Sequence, residues 1–381
     1  MKKKEVSEIR KTLKPSKCCI DKLYGFMMDP GGNVQAELPV NFLTLTEDVT
    51  EKYCALIGTV LSGKIGKSLY QVEFPLDEET DEDGKQPLLY RIATGMGKNI
   101  SEGRPIHADI RTLADRIGEV GDFEDPYALF IAHCMYDIPH KAKDGATLED
   151  GASVYEYIVA GIYPVKQIKS TLVYNDEKGA FVNQAGGAEL KAPECGFVYP
   201  NYVDHTPDIH SAMYYAKKEE NRHDEIVEVI FGKGLSTCET EQKYLFTNIV
   251  EKSLGRDCTF ERVTAAADEL QNFCDETGEE ETVIGKEQIR RILQESGADE
   301  EAVARLDSVY DEVMEEGNEM RAENLSSGDS LEIKAEGLKI AARGSAADLL
   351  ETRMVDGREC IVIPVANDMT LNGIALKAKS E

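Results

Sequence analysis

The densest cluster of potential metal ligands lies within seven residues near the middle of the chain: Asp204, His205, Asp208 and His210. Imidazole and carboxylate groups are ligands for zinc, iron or manganese. Pro207 keeps the segment out of a helix, and His133, His140 and Cys195 could complete a coordination shell after folding. No two of the four ligands have a recognised helical spacing, so the pattern favours a capped turn between strands over a metal site.

A glycine-rich segment, Gly58–Ser68, resembles a phosphate-binding loop in two overlapping registers. Such a loop needs a glycine, four further residues, and then Gly-Lys followed by Ser or Thr. The first register has Ile65 where the magnesium-binding hydroxyl belongs. The second register has Leu61 where the first glycine belongs. We therefore expect no nucleotide binding, and the sequence predicts no cofactor.

The first twenty residues are basic, with seven Lys/Arg against two Glu. Cations supply non-specific affinity for the phosphates of nucleic acid. The candidate nucleic-acid contacts are Lys2, Lys3, Lys4, Arg10 and Lys11. The alternative is a solvated terminal helix, since Val6, Ile9 and Leu13 have the spacing of one helical face.

The chain as a whole is acidic, with a formal net charge of −28. More than half of this charge falls in residues 261–330, which contain 21 Asp/Glu against 6 Lys/Arg. Because phosphate binding needs clustered cations, this acidity opposes broad wrapping of nucleic acid. A charged surface that maintains solubility is the favoured interpretation.

The cysteines indicate the compartment. The nine cysteines lie far apart, except for the neighbours Cys18 and Cys19, and no Cys-x-x-Cys pair occurs. This odd, unpatterned set predicts reduced thiols. There is no secretory signal and no apolar run of the roughly 18 residues that a membrane span requires. We therefore expect a cytoplasmic protein with no membrane partner.

The pattern of elements predicts an α+β fold. Residues 1–220 contain helical periodicity at 5–13, 47–61 and 108–118, and extended runs that include 19–28, 34–38, 127–138 and 154–168. Turn residues between successive runs favour hairpins, and therefore an antiparallel sheet. Residues 77–84 are nearly all acidic and predict an exposed loop.

Two further domains are predicted after residue 220. Residues 221–325 form an acidic helical domain, with Ser236, Thr259 and Asp299 as candidate helix caps. Residues 326–381 form a small β module with an Asp-Gly turn at 356–357 and an Asn-Gly turn at 372–373. These dipeptides are the strongest short-range hairpin signals.

The whole chain resembles a family of uncharacterised proteins of Gram-positive bacteria that is known only as a domain of unknown function. The resemblance rests on five segments: residues 3–10, 61–68, 198–201 with 212–215, 254–260, and 351–357. It implies no activity and no catalytic residue. The last part of the chain is also faintly similar to a bacterial nucleoid-associated protein family, through a Leu254-Gly255 step in a helical region before a β segment.

Three functions are compatible with these patterns. The first is a non-enzymatic interaction protein, whose partner is a protein or the DNA of the nucleoid. The second is a metal-dependent enzyme centred on residues 204–210. The third is an acidic protein that mimics DNA and sequesters a DNA-binding protein. The sequence favours the first and names no catalytic residue.

Overall fold

The computed structural model describes residues 1–95, 106–138, 140–141, 147–148, 153–277, 282–315, 317–326, 328, 330–344, 349–365, 369–371 and 373–377. The chain forms two compact units, Met1–Cys238 and Glu239–Glu381. Helices and antiparallel strands are both abundant, which confirms the predicted α+β class. The domain boundaries at 220/221 and 325/326 stay predictions.

The first unit alternates helices with strands. Its helices are α1 (Lys3–Thr12), α2 (Glu47–Gly58), α3 (Leu76–Thr80), α4 (Lys85–Gly95), α5 (Ile106–Val120) and α6 (Asp224–Phe231). Its strands are β1 (Ile20–Met28), β2 (Val34–Val40), β3 (Leu69–Glu73), β4 (Tyr127–Asp137), β5 (His140–Lys141), β6 (Thr147–Leu148), β7 (Val154–Ile168), β8 (Thr171–Asn175), β9 (Ala180–Gln184), β10 (Gly187–Leu190), β11 (Cys195–Tyr199), β12 (Asn201–Val203), β13 (Thr206–Asp208) and β14 (Ser211–Ala216).

One antiparallel sheet organises this unit, with the strand order β2-β1-β4-β7-β11-β14-β3. β10 pairs with β7 outside this path. The hairpin of β1 and β2 encloses the predicted turn, where Asp29 accepts hydrogen bonds from the backbone and side chain of Asn33. The predicted antiparallel sheet is therefore present.

Helices cover both faces of the sheet. Successive residues of a strand point to opposite faces, so Leu129 and Ile131 of β4 join a core with α4, α5 and α6. Phe130 and Ala132 join a second core with α1 and α2. Each fully buried Leu or Ile side chain contributes about 1.5–3 kcal/mol, and this burial holds the helices on the sheet.

The segment between β3 and β4 differs from the sequence-based expectation. The acidic stretch 77–84 is not all exposed loop, because α3 occupies its first part and Glu78 forms an ion pair with Lys85. α4 has no counterpart among the predicted helices. Pro87 obscures it in the sequence, yet this proline lies in the first turn, where the missing N–H has no helical partner to lose.

The second unit begins with helices and ends with hairpins. The helices are α7 (Glu239–Leu254), α8 (Phe260–Thr277), α9 (Lys286–Glu295), α10 (Glu300–Val313) and α11 (Ala322–Leu325). The predicted caps at Thr259 and Asp299 are confirmed, since their side chains accept from the backbone N–H of Arg262 and Ala302. The predicted start at Ser236 is wrong, because α7 begins at Glu239.

The described residues after α11 form three hairpins. They pair β15 (Ser330–Ala335) with β16 (Leu338–Arg343), β17 (Glu351–Val355) with β18 (Arg358–Val362), and β19 (Thr370–Leu371) with β20 (Ile374–Ala375). Asp356 and Gly357 both have positive φ, at 49° and 77°, which a tight hairpin turn requires. The predicted Asp-Gly hairpin is confirmed. β19 and β20 pair on either side of the predicted Asn-Gly turn, of which Asn372 lies outside the described residues. In the described part of the chain, no helix is long and apolar enough to cross a membrane.

Candidate functional site

The predicted metal cluster lies on a β-hairpin beside α1. β12 and β13 pair with each other, with Asn201 opposite Asp208 and Val203 opposite Thr206. Asp204 and His205 form the turn between them, with φ values of 48° and 61°. Asp and His are among the residues that tolerate this left-handed conformation. The segment is therefore a tight turn between strands, as its sequence favours.

The four predicted ligands have separate partners. His205 Nδ1 lies 3.2 Å from the hydroxyl of Tyr202, whereas His210 Nδ1 lies 3.0 Å from Glu79 Oε1. Asp208 accepts hydrogen bonds from the Ser211 hydroxyl and from the backbone N–H of His210. Asp204 lies 3.5 Å from the ammonium of Lys2.

The four side chains do not form a metal site with one another or with other described residues. Among the described residues, no group of three His, Cys, Asp or Glu side chains could hold one metal ion. Cys195 is buried in the core beside α4, α5 and α6, and the side chain of His140 lies outside the described residues. The structure does not bring the predicted ligands together, and metal binding itself stays a prediction.

His133 has a different environment. Its ring is fully buried on β4. Nε2 lies 2.9 Å from Glu156 Oε1 on β7, and Nδ1 lies 3.5 Å from Asp21 Oδ2 on β1. The imidazole thus contacts Glu156 on β7 through Nε2, whereas Nδ1 lies near the Asp21 carboxylate on β1 without a hydrogen bond to it.

The predicted nucleic-acid contacts lie on the solvent side of α1. Lys2, Lys3, Lys4, Arg10 and Lys11 are all exposed. The opposite side of α1 is buried, and it includes a carboxylate, Glu5. Glu5 accepts hydrogen bonds from the backbone N–H of Lys2 and of Asp204, both at 2.6 Å. The basic helix and the predicted metal turn are therefore neighbours.

A cluster of tyrosines lies between α1 and the sheet. Glu8 of α1 accepts hydrogen bonds from Tyr136 at 2.9 Å and Tyr202 at 3.3 Å. Tyr155 stacks on Tyr157 with ring centroids 4.5 Å apart. Burial, with the Glu8 charge, raises the pKa of Tyr136 to about 12. The Tyr136 phenol therefore stays protonated at neutral pH and donates its hydrogen bond to Glu8.

Four thiols meet beside this cluster, in two pairs. Cys18 and Cys19 precede β1, Cys54 lies on α2, and Cys134 lies on β4. Cys54 Sγ donates to Cys18 Sγ at 3.3 Å. Cys19 forms the other pair with Cys134.

The second pair is embedded in a hydrogen-bond network. Cys19 Sγ lies 3.1 Å from the Tyr157 hydroxyl and donates to Thr12 Oγ1 at 3.2 Å. The hydroxyl of Thr12 donates in turn to the Ile9 carbonyl oxygen at 2.7 Å. Cys19 is therefore tied to the C-terminal end of α1.

Each pair contains one thiol with a lowered pKa and one with a raised pKa. The hydrogen bond from Cys54 lowers the pKa of Cys18 to about 7, although burial opposes this. The hydrogen bond from Cys134 similarly lowers the pKa of Cys19 to about 7. The pKa values of Cys54 and Cys134 are raised. Since the thiolate is the nucleophile, the lowered pKa makes Cys18 and Cys19 the more nucleophilic thiol of each pair at neutral pH.

The sequence does not reveal these pairs. Cys18 and Cys19 are recognisable as neighbours, but Cys54 lies 36 positions after Cys18 on a helix. No spacing motif links them, because the contact depends on how α2 packs on the sheet.

The second unit has an acidic cleft between α8 and α9. It has a volume of about 430 Å³, and its charged lining residues are Glu269, Asp275, Glu276, Arg291 and Glu295. Arg291 is paired with Glu295 at 2.8 Å. The net negative lining would suit a cationic group, yet a cluster of acids alone does not define a binding site.

Similarity to known proteins identifies the family of this chain. No curated protein matches it. The faint likeness to nucleoid-associated proteins receives no support from these comparisons. The model of one family, described as "Domain of unknown function (DUF4317)", matches residues 1–374. The chain therefore belongs to this domain-of-unknown-function family, DUF4317.

Proposed function

We propose that this chain functions by binding protein, and that its contact surface is the β8–β9 hairpin, residues 171–184, here called the arm. The single observation behind this proposal is the apolar, exposed face of the arm. Leu172, Tyr174 and Phe181 are 66%, 51% and 69% exposed. An isolated two-stranded hairpin is marginally stable in water, so a partner that covers this face would stabilise it.

The three side chains form one surface. Tyr174 lies directly opposite Phe181 in the register of the hairpin, with ring centroids 5.5 Å apart. Leu172 precedes Tyr174 by two residues and therefore lies on the same face. Aromatic residues are enriched in the cores of protein interfaces, and such a face is typical of a binding surface.

The charge of the arm supports a second copy of this chain as the occupant. Within residues 171–184, Lys178 offsets one of the two acids Asp176 and Glu177, so the arm has a net charge of only −1. The whole chain has a formal net charge of −28, which makes two copies repel each other. An apolar segment with so little net charge is where this repulsion is least.

The backbone of the arm also suits self-association. Within the described residues, β8 and β9 pair only with each other, so each has an outer edge with N–H and C=O groups available. Two antiparallel edges of the same sequence can pair about a two-fold axis, which gives a closed dimer.

The experiment is to measure the mass of the full chain in solution by light scattering, over a range of concentrations. We expect a dimer that is converted to a monomer by the double substitution Leu172→Ser and Phe181→Ser. Leu43→Ser is the matched control, because Leu43 is 77% exposed but lies outside the arm. A monomeric wild-type chain would exclude the second copy as partner. A dimer that persists in the doubly substituted chain would exclude the arm as the dimer interface.

A further inference from the structure

We propose that Cys18 and Cys54 form a dithiol site that reacts with hydroperoxides and closes to a reversible disulfide. The site rests on geometry. The two sulfur atoms are 3.3 Å apart, on segments that are 36 positions apart in the chain. Formation of a bond of about 2.05 Å requires an approach of about 1.3 Å, which side-chain rotation can contribute.

The two thiols differ in their exposure to solvent, as a pair that reacts with a peroxide requires. Cys18 is partly exposed at the chain segment that leads into β1. Cys54 is only 1% exposed, within α2. The peroxide therefore meets Cys18 first, and Cys54 is protected until Cys18 has reacted. The Cys54 S–H donates to Cys18 Sγ, which favours the thiolate at the accessible position.

The chemistry balances in two steps. The Cys18 thiolate attacks the distal oxygen of a hydroperoxide, the O–O bond breaks, and the leaving oxygen takes a proton to depart as an alcohol, or as water from hydrogen peroxide. This oxidises Cys18 to a sulfenic acid. The Cys54 thiol then attacks the Cys18 sulfur, loses its proton, and expels water as the S–S bond forms. The peroxide is the oxidant, and a small dithiol reverses the reaction by exchange.

The second thiol pair is a natural internal comparison. Cys134 is 0% exposed on β4. Cys19 contacts both Thr12 and Tyr157, so movement of its sulfur toward Cys134 breaks these two contacts. We therefore assign the reactive site to Cys18 and Cys54.

The test uses the full chain treated with equimolar hydrogen peroxide, alkylated, and digested with trypsin without reduction. Trypsin places Cys18 and Cys19 together in residues 18–22, and Cys54 in residues 53–64. We expect these two peptides to be cross-linked, and the cross-link to disappear after treatment with dithiothreitol.

Variants identify the sulfur involved. The cross-link should persist in Cys19→Ser and in Cys258→Ser, and should be lost in Cys18→Ser and in Cys54→Ser. The wild-type result does not depend on how any variant folds. The site is excluded if Cys258 is oxidised while residues 18–22 and 53–64 remain unlinked. It is equally excluded if the same link forms in Cys18→Ser.

Discussion

The character of each cysteine in this chain depends on its neighbours. Cys18 and Cys19 are adjacent in sequence, yet each faces a different buried thiol, on α2 and on β4 respectively. The donor from the buried partner stabilises the thiolate of the outer residue. Cys258 is the contrasting case, because it is exposed but its pKa is raised by partial burial and by the charges of Glu251 and Asp257.

This contrast gives a prediction for alkylation. Because the pKa of Cys18 is about 7, its rate of reaction with iodoacetamide should rise through pH 7 and level off above pH 8. The rate for Cys258 should still be rising there. Cys54→Ala removes the donor, raises the pKa of Cys18, and should slow its labelling at pH 7 by about five-fold, since the higher nucleophilicity of the more basic thiolate offsets part of the loss. Because Cys18 and Cys19 lie in one tryptic peptide, mass spectrometry measures the Cys18 rate in a Cys19→Ser background, and an unchanged rate when Cys54→Ala is added would contradict the assignment.

The turn at 204–210 carries a second prediction at this scale. We expect purified protein to contain no stoichiometric zinc, iron or manganese, because the four ligands have separate partners. Elemental analysis measures this directly. About one metal ion per chain, lost when His205 and His210 are both changed to Ala, would reverse the conclusion and favour the metal-dependent enzyme.

Among the elements, α5 and the β1–β2 turn meet through two glycines. A Cβ added at Gly118 would lie 2.1 Å from the Gly32 carbonyl oxygen, and one added at Gly32 would lie 1.8 Å from that of Gly118. Gly32 also has a φ of +78°. The turn that joins the edge hairpin therefore packs on the helix through backbone alone.

Gly118→Ala should lower the free energy of unfolding by about 1–3 kcal/mol, because a side chain at this position forces the helix and the turn apart. Gly187→Ala is the matched control, since a Cβ there would have no atom within 4 Å. Urea denaturation followed by circular dichroism compares the two. Equal free energies of unfolding for the two variants would mean that the turn shifts at no cost in stability.

Contact between α1 and DNA has to be tested by substitutions that leave the helix in place. Deletion of the helix would strip Val6 and Ile9 from the core, so loss of binding would not be informative. If α1 contacts DNA, Arg10→Glu with Lys11→Glu should abolish a salt-sensitive association, whereas Lys52→Glu, on an exposed position of α2, should leave it intact. Fluorescence anisotropy with labelled duplex measures this. Equal binding by both variants would exclude α1 as the contact.

At the level of the whole molecule, each unit has a core of its own. The cores on the two sheet faces contain residues of the first unit, and a third core contains residues of the second. α6 belongs to the first of these cores, through Ile226, Val227, Ile230 and Phe231. Because α6 packs on this core, the first unit includes α6 and ends after it.

This arrangement predicts a difference between two truncated chains. Residues 1–238 should fold alone and unfold cooperatively. Residues 1–220 should be destabilised by more than about 5 kcal/mol, because four buried apolar side chains are missing, and this is comparable with the whole stability of a typical domain. Differential scanning calorimetry of both chains checks the boundary. A cooperative transition for 1–220 at the same temperature as for 1–238 would favour the division at 220.

The sequence by itself determined the features that depend on near neighbours. The hairpin around residues 29–33, the turn at Asp356-Gly357 and the cap at Asp299 follow from local backbone and hydrogen-bond preferences. The acidity of residues 261–330 is also a property of the sequence alone. Tertiary structure determined which residues far apart in the sequence come into contact: Cys18 with Cys54, and Glu5 with the backbone of Asp204. It also decided that the four predicted metal ligands have separate partners. Such contacts result from strand order and from the packing of helices on two faces of one sheet, and no local pattern of residues encodes them.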